Sequence, residues 1–140
     1  MLLEKLSVII EKLEQVNGIT MNQYTVLLES ISSKEDEEGI DKVIHEMATY
    51  KEELINQVEQ DEIEFEKEYY LVREKIINQE EINQLKKRVS QVIQLKEEIM
   101  ENEKANMMLV QSKLRKKNKA IAIPKDPKKI VEIYKNSNLR

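Results

Sequence analysis

Residues 82–118 read INQLKKRVSQVIQLKEEIMENEKANMMLVQSKLRKKN, and the fold turns on this stretch. Apolar residues fall at Ile82, Leu85, Val89, Val92, Ile99, Val110 and Leu114. Intervals of three, four and seven put them along one face of a single long helix. At about 1.5 Å per residue such a helix runs roughly 55 Å. Neither glycine nor proline interrupts it. Its middle departs from the apolar rule, with Asn102, Glu103 and Asn106 where a pure seam would carry leucine. Met107, Met108, Leu109 and Val110 then follow one another and point in every direction around one turn. That turn is either wrapped by other helices or open to a partner.

Working outward, the rest of the chain supports helix. Charged residues make up 36% of the 140 and aromatics 4%, a balance that suits long helices better than a thick globular core. Two glycines and two prolines are too few for the turns of a β-rich fold. The reading is therefore all-α, an elongated antiparallel bundle or coiled coil of three long helices with a short C-terminal tail. Leu2, Leu6, Ile9, Leu13 and Val16 alternate at four and three, and Thr20, Tyr24, Leu27 and Ile31 continue the phase. One helix to about Ile31 is favoured; the alternative is two short helices broken at Asn17-Gly18. Ser32 to Gly39 reads as a loop. A second helix runs from about Ile40 to Ile77, with Ile40, Val43, Met47, Leu54, Val58, Phe65, Tyr69, Val72 and Ile76 on its apolar face. Asn78 to Glu81 forms a short polar connection suited to a helix hairpin.

Charge divides the chain. Residues 1–112 carry 13 basic and 25 acidic side chains, a net of −12, and residues 113–140 carry 10 basic and 2 acidic, a net of +8. The charge changes sign near the end of the third helix, and the chain is read as a helical bundle over 1–118 and a basic tail over 119–140. Asp126-Pro127 resembles a helix start, and Ile130, Ile133 and Tyr134 would share one short helical face.

The chemistry of an enzyme is missing. There is no cysteine, one histidine (His45), no Gly-rich phosphate loop and no metallopeptidase or hydrolase motif. The acidic run around Glu59–Glu68 reads as a solvated face, since helical metal sites pair carboxylates with histidine on several helices. No catalytic residue, cofactor or metal is expected, and no small-molecule substrate. The basic run Arg115–Lys119 suits a helix C-terminus; it lacks the aromatic partners and motifs of a nucleic-acid site. No stretch reaches the roughly 18 apolar residues of a membrane span, so stable membrane insertion is not expected. The acidic N-terminal start lacks a signal-peptide layout, and a cytoplasmic location is expected.

Three features together carry a resemblance. The first helix opens with leucines; the second carries Ala-Thr-Tyr-Lys-Glu-Glu-Leu-Ile at 48–55 after an acidic loop; the third has Asn102 and Asn106 followed by Leu109. With Glu-Ile-Tyr-Lys-Asn-Ser at 132–137, the whole length resembles the FlgN-type flagellar export chaperones. The tail departs from that pattern, lacking the small residues usual after the tyrosine. The resemblance implies a cytoplasmic chaperone that holds hook-filament junction (hook-associated) proteins unpolymerised and delivers them to the flagellar type III export gate. The expected client-binding residues are Asn106, Met107, Leu109, Val110 and Leu114, since adaptable methionine suits the capture of a helix. Ile130, Ile133 and Tyr134 are the expected docking residues for the cytoplasmic domain of the gate, with Tyr134 as anchor. The competing readings are a structural coiled coil or homodimer and, further off, a nucleic-acid- or membrane-associated adaptor using the basic tail.

Overall fold

The computed structural model of the chain describes residues 1–32 and 37–117. They form three helices: α1, Leu2–Ser32; α2, Glu37–Val72; and α3, Gln79–Lys117. A single 3-10 turn, Arg73–Lys75, tightens the end of α2, as is common at helix C-termini. No strand occurs among the described residues, and none of the described helices is long and apolar enough to cross a membrane. The protein is an all-α bundle.

α1 is the shared wall. Leu2, Leu6, Ile9, Leu13, Val16, Thr20, Gln23, Leu27 and Ser30 are all buried, an unbroken four-three alternation along its length. The helix passes through Asn17-Gly18 without a break. A glycine inside a helix costs about 1 kcal/mol relative to Ala; here the buried positions on both sides hold the helix through it. α2 and α3 each pack against α1, and their backbones do not pack against each other.

Side-chain pairs set the directions. Lys5 pairs with Glu68 at 3.4 Å and Lys12 with Asp61 at 2.6 Å, so α2 runs antiparallel to α1. Arg88 Nη1 donates to the Leu3 carbonyl at 2.6 Å, and Asn102 Nδ2 to Asn17 Oδ1 at 2.7 Å, so α3 runs parallel to α1. The bundle is up-down-up. Its apolar centre lies in the first half of α1, where Leu2, Leu6, Ile9 and Leu13 meet Val58, Leu85 and Val92. Phe65, Val72, Ile76, Leu95 and Ile99 pack around them.

Several local expectations need correction. α2 begins at Glu37, not Ile40, and its α-helical part ends at Val72. Gln79 to Glu81 are the first turn of α3, not connection, because Asn78 caps it. Asn78 Oδ1 accepts from the amides of Glu80 at 2.9 Å and Glu81 at 3.3 Å. Near the start of α2 Ile44 and Ala48 are buried, whereas Val43 is 45% exposed. On α1 Gln23 is buried and Tyr24 is exposed; on α3 Val89 and Leu114 are exposed, and Asn106 holds a seam position. At Gln23, Arg88 and Lys113 a polar residue occupies the seam and its hydrophobic neighbour (Tyr24, Val89, Leu114) lies outside it, whereas on α2 the phase is set one residue later, by Ile44.

Candidate functional site

Counting by sevens from Leu85 gives Val92, Ile99, Asn106 and Lys113, and from Arg88 gives Leu95, Asn102 and Leu109. These two rows form the α3 seam, and all of them are buried or half-buried. Apart from Arg88 the seam is apolar through Ile99, and beyond it the seam is polar except for Leu109. The same change occurs on α1 after Val16, where Thr20 and Gln23 follow, and on α2, where Lys51 lies between Ala48 and Leu54.

These polar residues meet in one layer. The Lys51 side chain is fully buried. Its ammonium donates to Gln23 Oε1 at 2.5 Å and to Glu103 Oε1, with which it forms an ion pair. Thr20 Oγ1 donates to the Val16 carbonyl at 2.8 Å and lies 3.3 Å from the same Glu103 oxygen. Asn106 Nδ2 donates to the Thr20 carbonyl at 3.0 Å, while Asn106 Oδ1 is buried with no hydrogen-bond partner among the described residues. Burial pushes the Lys51 pKa below its ordinary value; the carboxylate of Glu103 opposes that shift. The sequence singled out Asn102, Glu103 and Asn106 and put Thr20 in phase, but did not mark Gln23 or Lys51. The missing signal was register: continuing the α1 four-three alternation past Thr20 marks Gln23, not Tyr24, as the next seam position.

The expected client-binding residues divide three ways. Asn106 is buried in the polar layer, and Leu109 is half-buried in the seam. Met107, Val110 and Leu114 lie one position further round, on the flank towards α2; Met107 and Val110 are half-buried and Leu114 is 40% exposed. Met108, not among the five, points away from the seam and is 65% exposed. The apolar turn is thus partly core and partly surface. Ile130, Ile133, Tyr134 and the tail boundary at 118/119 lie outside the described residues.

Three ion pairs cross between α2 and α3: Glu62 with Lys96 at 2.7 Å, Lys51 with Glu103, and Asp41 with Lys113 at 2.8 Å. Towards the α2–α3 hairpin the crossing pairs stop, and a groove of about 760 Å³ opens. Phe65, Tyr69 and Tyr70 line one wall, and Ile82, Leu85 and Val89 the other. Phe65 stacks on Tyr69 at 6.3 Å between ring centroids, and the Arg73 guanidinium lies 5.0 Å over the Tyr70 ring. Sequence spacing put Phe65, Tyr69, Ile82, Leu85 and Val89 on apolar faces, but it did not show that the two faces leave a groove between them beside the hairpin. His45, the lone histidine, is exposed on α2.

Fold and site together define an elongated three-helix bundle with a mixed apolar and polar seam. Compared with protein-family models, curated proteins and solved structures, the chain has no match.

Proposed function

We propose that this chain acts by binding other polypeptides rather than by catalysis, and specifically as a cytoplasmic holding chaperone for flagellar type III export. Its clients would be hook-associated proteins, which it would keep unpolymerised and deliver to the export gate through its basic tail. The observation that carries the reading is the uncovered apolar surface of α3. Ile93, Met100, Met108 and Leu114 are between 40% and 65% exposed on a helix whose other face is already buried. Apolar side chains spaced along one helix suit the apolar stripe of another, and methionine adapts to its shape. The resemblance of the three helices and the tyrosine-bearing tail to FlgN-type chaperones supplies the rest.

The test is affinity purification of the tagged full-length protein from its native host. Stoichiometric recovery of a hook-associated protein is expected. Met107→Asp with Val110→Asp should abolish that recovery while helicity and melting temperature survive. A self-associated dimer that brings down no flagellar protein would overturn the reading. The same exposed row favours that second reading, a structural homodimer.

A further inference from the structure

The outer flank of the α2–α3 seam carries two rows at matched levels. On α3 the position after each seam residue gives Ile93, Met100 and Met107, repeating every seven residues, with Ile93 53% and Met100 57% exposed. On α2 the corresponding row, one position beyond the buried Lys51 and Val58, gives Glu52, Glu59 and Glu66. The crossing pairs Glu62–Lys96 and Lys51–Glu103 show that these rows lie on the sides of α2 and α3 that face each other. They also fix the levels. Running antiparallel, Glu66 falls beside Ile93, Glu59 between Ile93 and Met100, and Glu52 between Met100 and Met107. None of the three glutamates has a cation within ion-pair distance among the described residues, although neighbouring carboxylates at Asp61, Glu62 and Glu68 each do. At the hairpin end the two rows run into the aromatic groove, which Glu66 itself lines.

We infer that this flank is a docking surface for an amphipathic helix that is apolar along one edge and basic along the next. A helix laid there sets its apolar edge on Ile93, Met100 and Met107 and its first large side chain in the groove of Phe65 and Tyr69. Its other edge faces three carboxylates spaced by two helical turns each, so lysines or arginines every seven residues match them. The acidic row would select against an acidic helix of equal hydrophobicity, because like charges held opposite each other repel. The surface specifies the partner's charge pattern, which goes beyond the export reading and does not depend on it.

The probes are two synthetic 21-residue amphipathic helices with identical leucine positions, one with lysines and one with glutamates along the flanking edge. Each is titrated against the full-length protein at moderate salt. The lysine peptide should bind at least tenfold tighter, equal to about 1.4 kcal/mol. The triple variant Glu52→Lys, Glu59→Lys, Glu66→Lys should reverse the preference while its circular dichroism stays helical. If the triple variant loses helicity, Glu59→Gln with Glu66→Gln should still erase the discrimination. Equal affinity for both peptides, or a preference that survives the substitutions, overturns the inference. Two further outcomes also overturn it by assigning the surface elsewhere. Tighter peptide binding on Lys128→Glu with Lys129→Glu would show that the chain's own tail occupies it. Loss of a dimer in the triple variant would show that a second copy does. If the lysine peptide binds as expected but purification from the host yields no flagellar client, the surface stands and the export reading fails.

Discussion

A lysine ammonium out of contact with water is held by what surrounds it, and here a carboxylate and an amide oxygen hold Lys51. Removing the carboxylate by Glu103→Leu leaves a buried charge poorly compensated, and stability should fall by about 3 kcal/mol or more in urea unfolding. Removing both partners, Lys51→Met with Glu103→Leu, should restore wild-type stability or exceed it by about 1–4 kcal/mol. A double variant as weak as the single one would mean that the layer contributes more than its desolvation costs. The lowered pKa of Lys51 also gives a pH dependence. Below the folded pKa both states are protonated, and the cost of burying the charge is present in full. Between that value and the ordinary 10.5 the unfolded chain binds more protons, so stability rises with pH there. The Lys51→Met variant should lack this alkaline rise. Gly18 supplies an independent test, since a Cβ built on it meets nothing within 4 Å. Gly18→Ala should raise stability by about 1 kcal/mol, read as a higher urea midpoint at unchanged slope.

At the scale of the element, helix identity was legible in the sequence and helix phase only in part. α1 could be read from Leu2 to Val16 because every seam position there is a leucine, isoleucine or valine. Phase became ambiguous wherever the seam turned polar. Gln23 beside Tyr24, and Asn106 beside Met107, each offer a hydrophobic neighbour one position away, and a rule that follows apolar residues steps onto it. The α3 boundary was misread for a different reason. Asn78 is as good a cap as a loop residue, and only the amides it accepts from decide between the two. Asn78→Ala should cost about 1 kcal/mol and fray the first turn of α3, seen as faster amide exchange at Glu80 and Glu81. Unchanged exchange there would mean that the hairpin packing alone holds the turn.

At the scale of the whole molecule, the bundle has two unlike halves. The half containing Ile9, Leu13, Val58 and Val92 is packed apolar side chains, and the other half mixes the hydrogen-bonded Gln23, Lys51 and Asn106 with fewer buried apolar residues, Leu27, Ile44 and Ala48. Apolar burial is the larger stabilising term, so amides around Gln23 and Leu27 should exchange with deuterium faster than those around Ile9 and Leu13. Equal protection along α1 would show that the bundle opens as one unit. This division was hidden in the sequence because it appears only when three distant segments are aligned, and so was the groove at the hairpin. The buried lysine has one more consequence. A sevenfold repeat looks the same after a slide of seven residues, so the apolar positions alone would let α2 settle one heptad up or down on α1. Lys51 removes that degeneracy: slipped one way, its ammonium would come to rest beside Val16 with neither Gln23 nor Glu103 to receive it. The residue that costs the bundle stability thereby acts as a key to its alignment. The Lys51→Met, Glu103→Leu protein should accordingly melt no lower than wild type and yet show doubled or broadened amide resonances from chains frozen in more than one stagger.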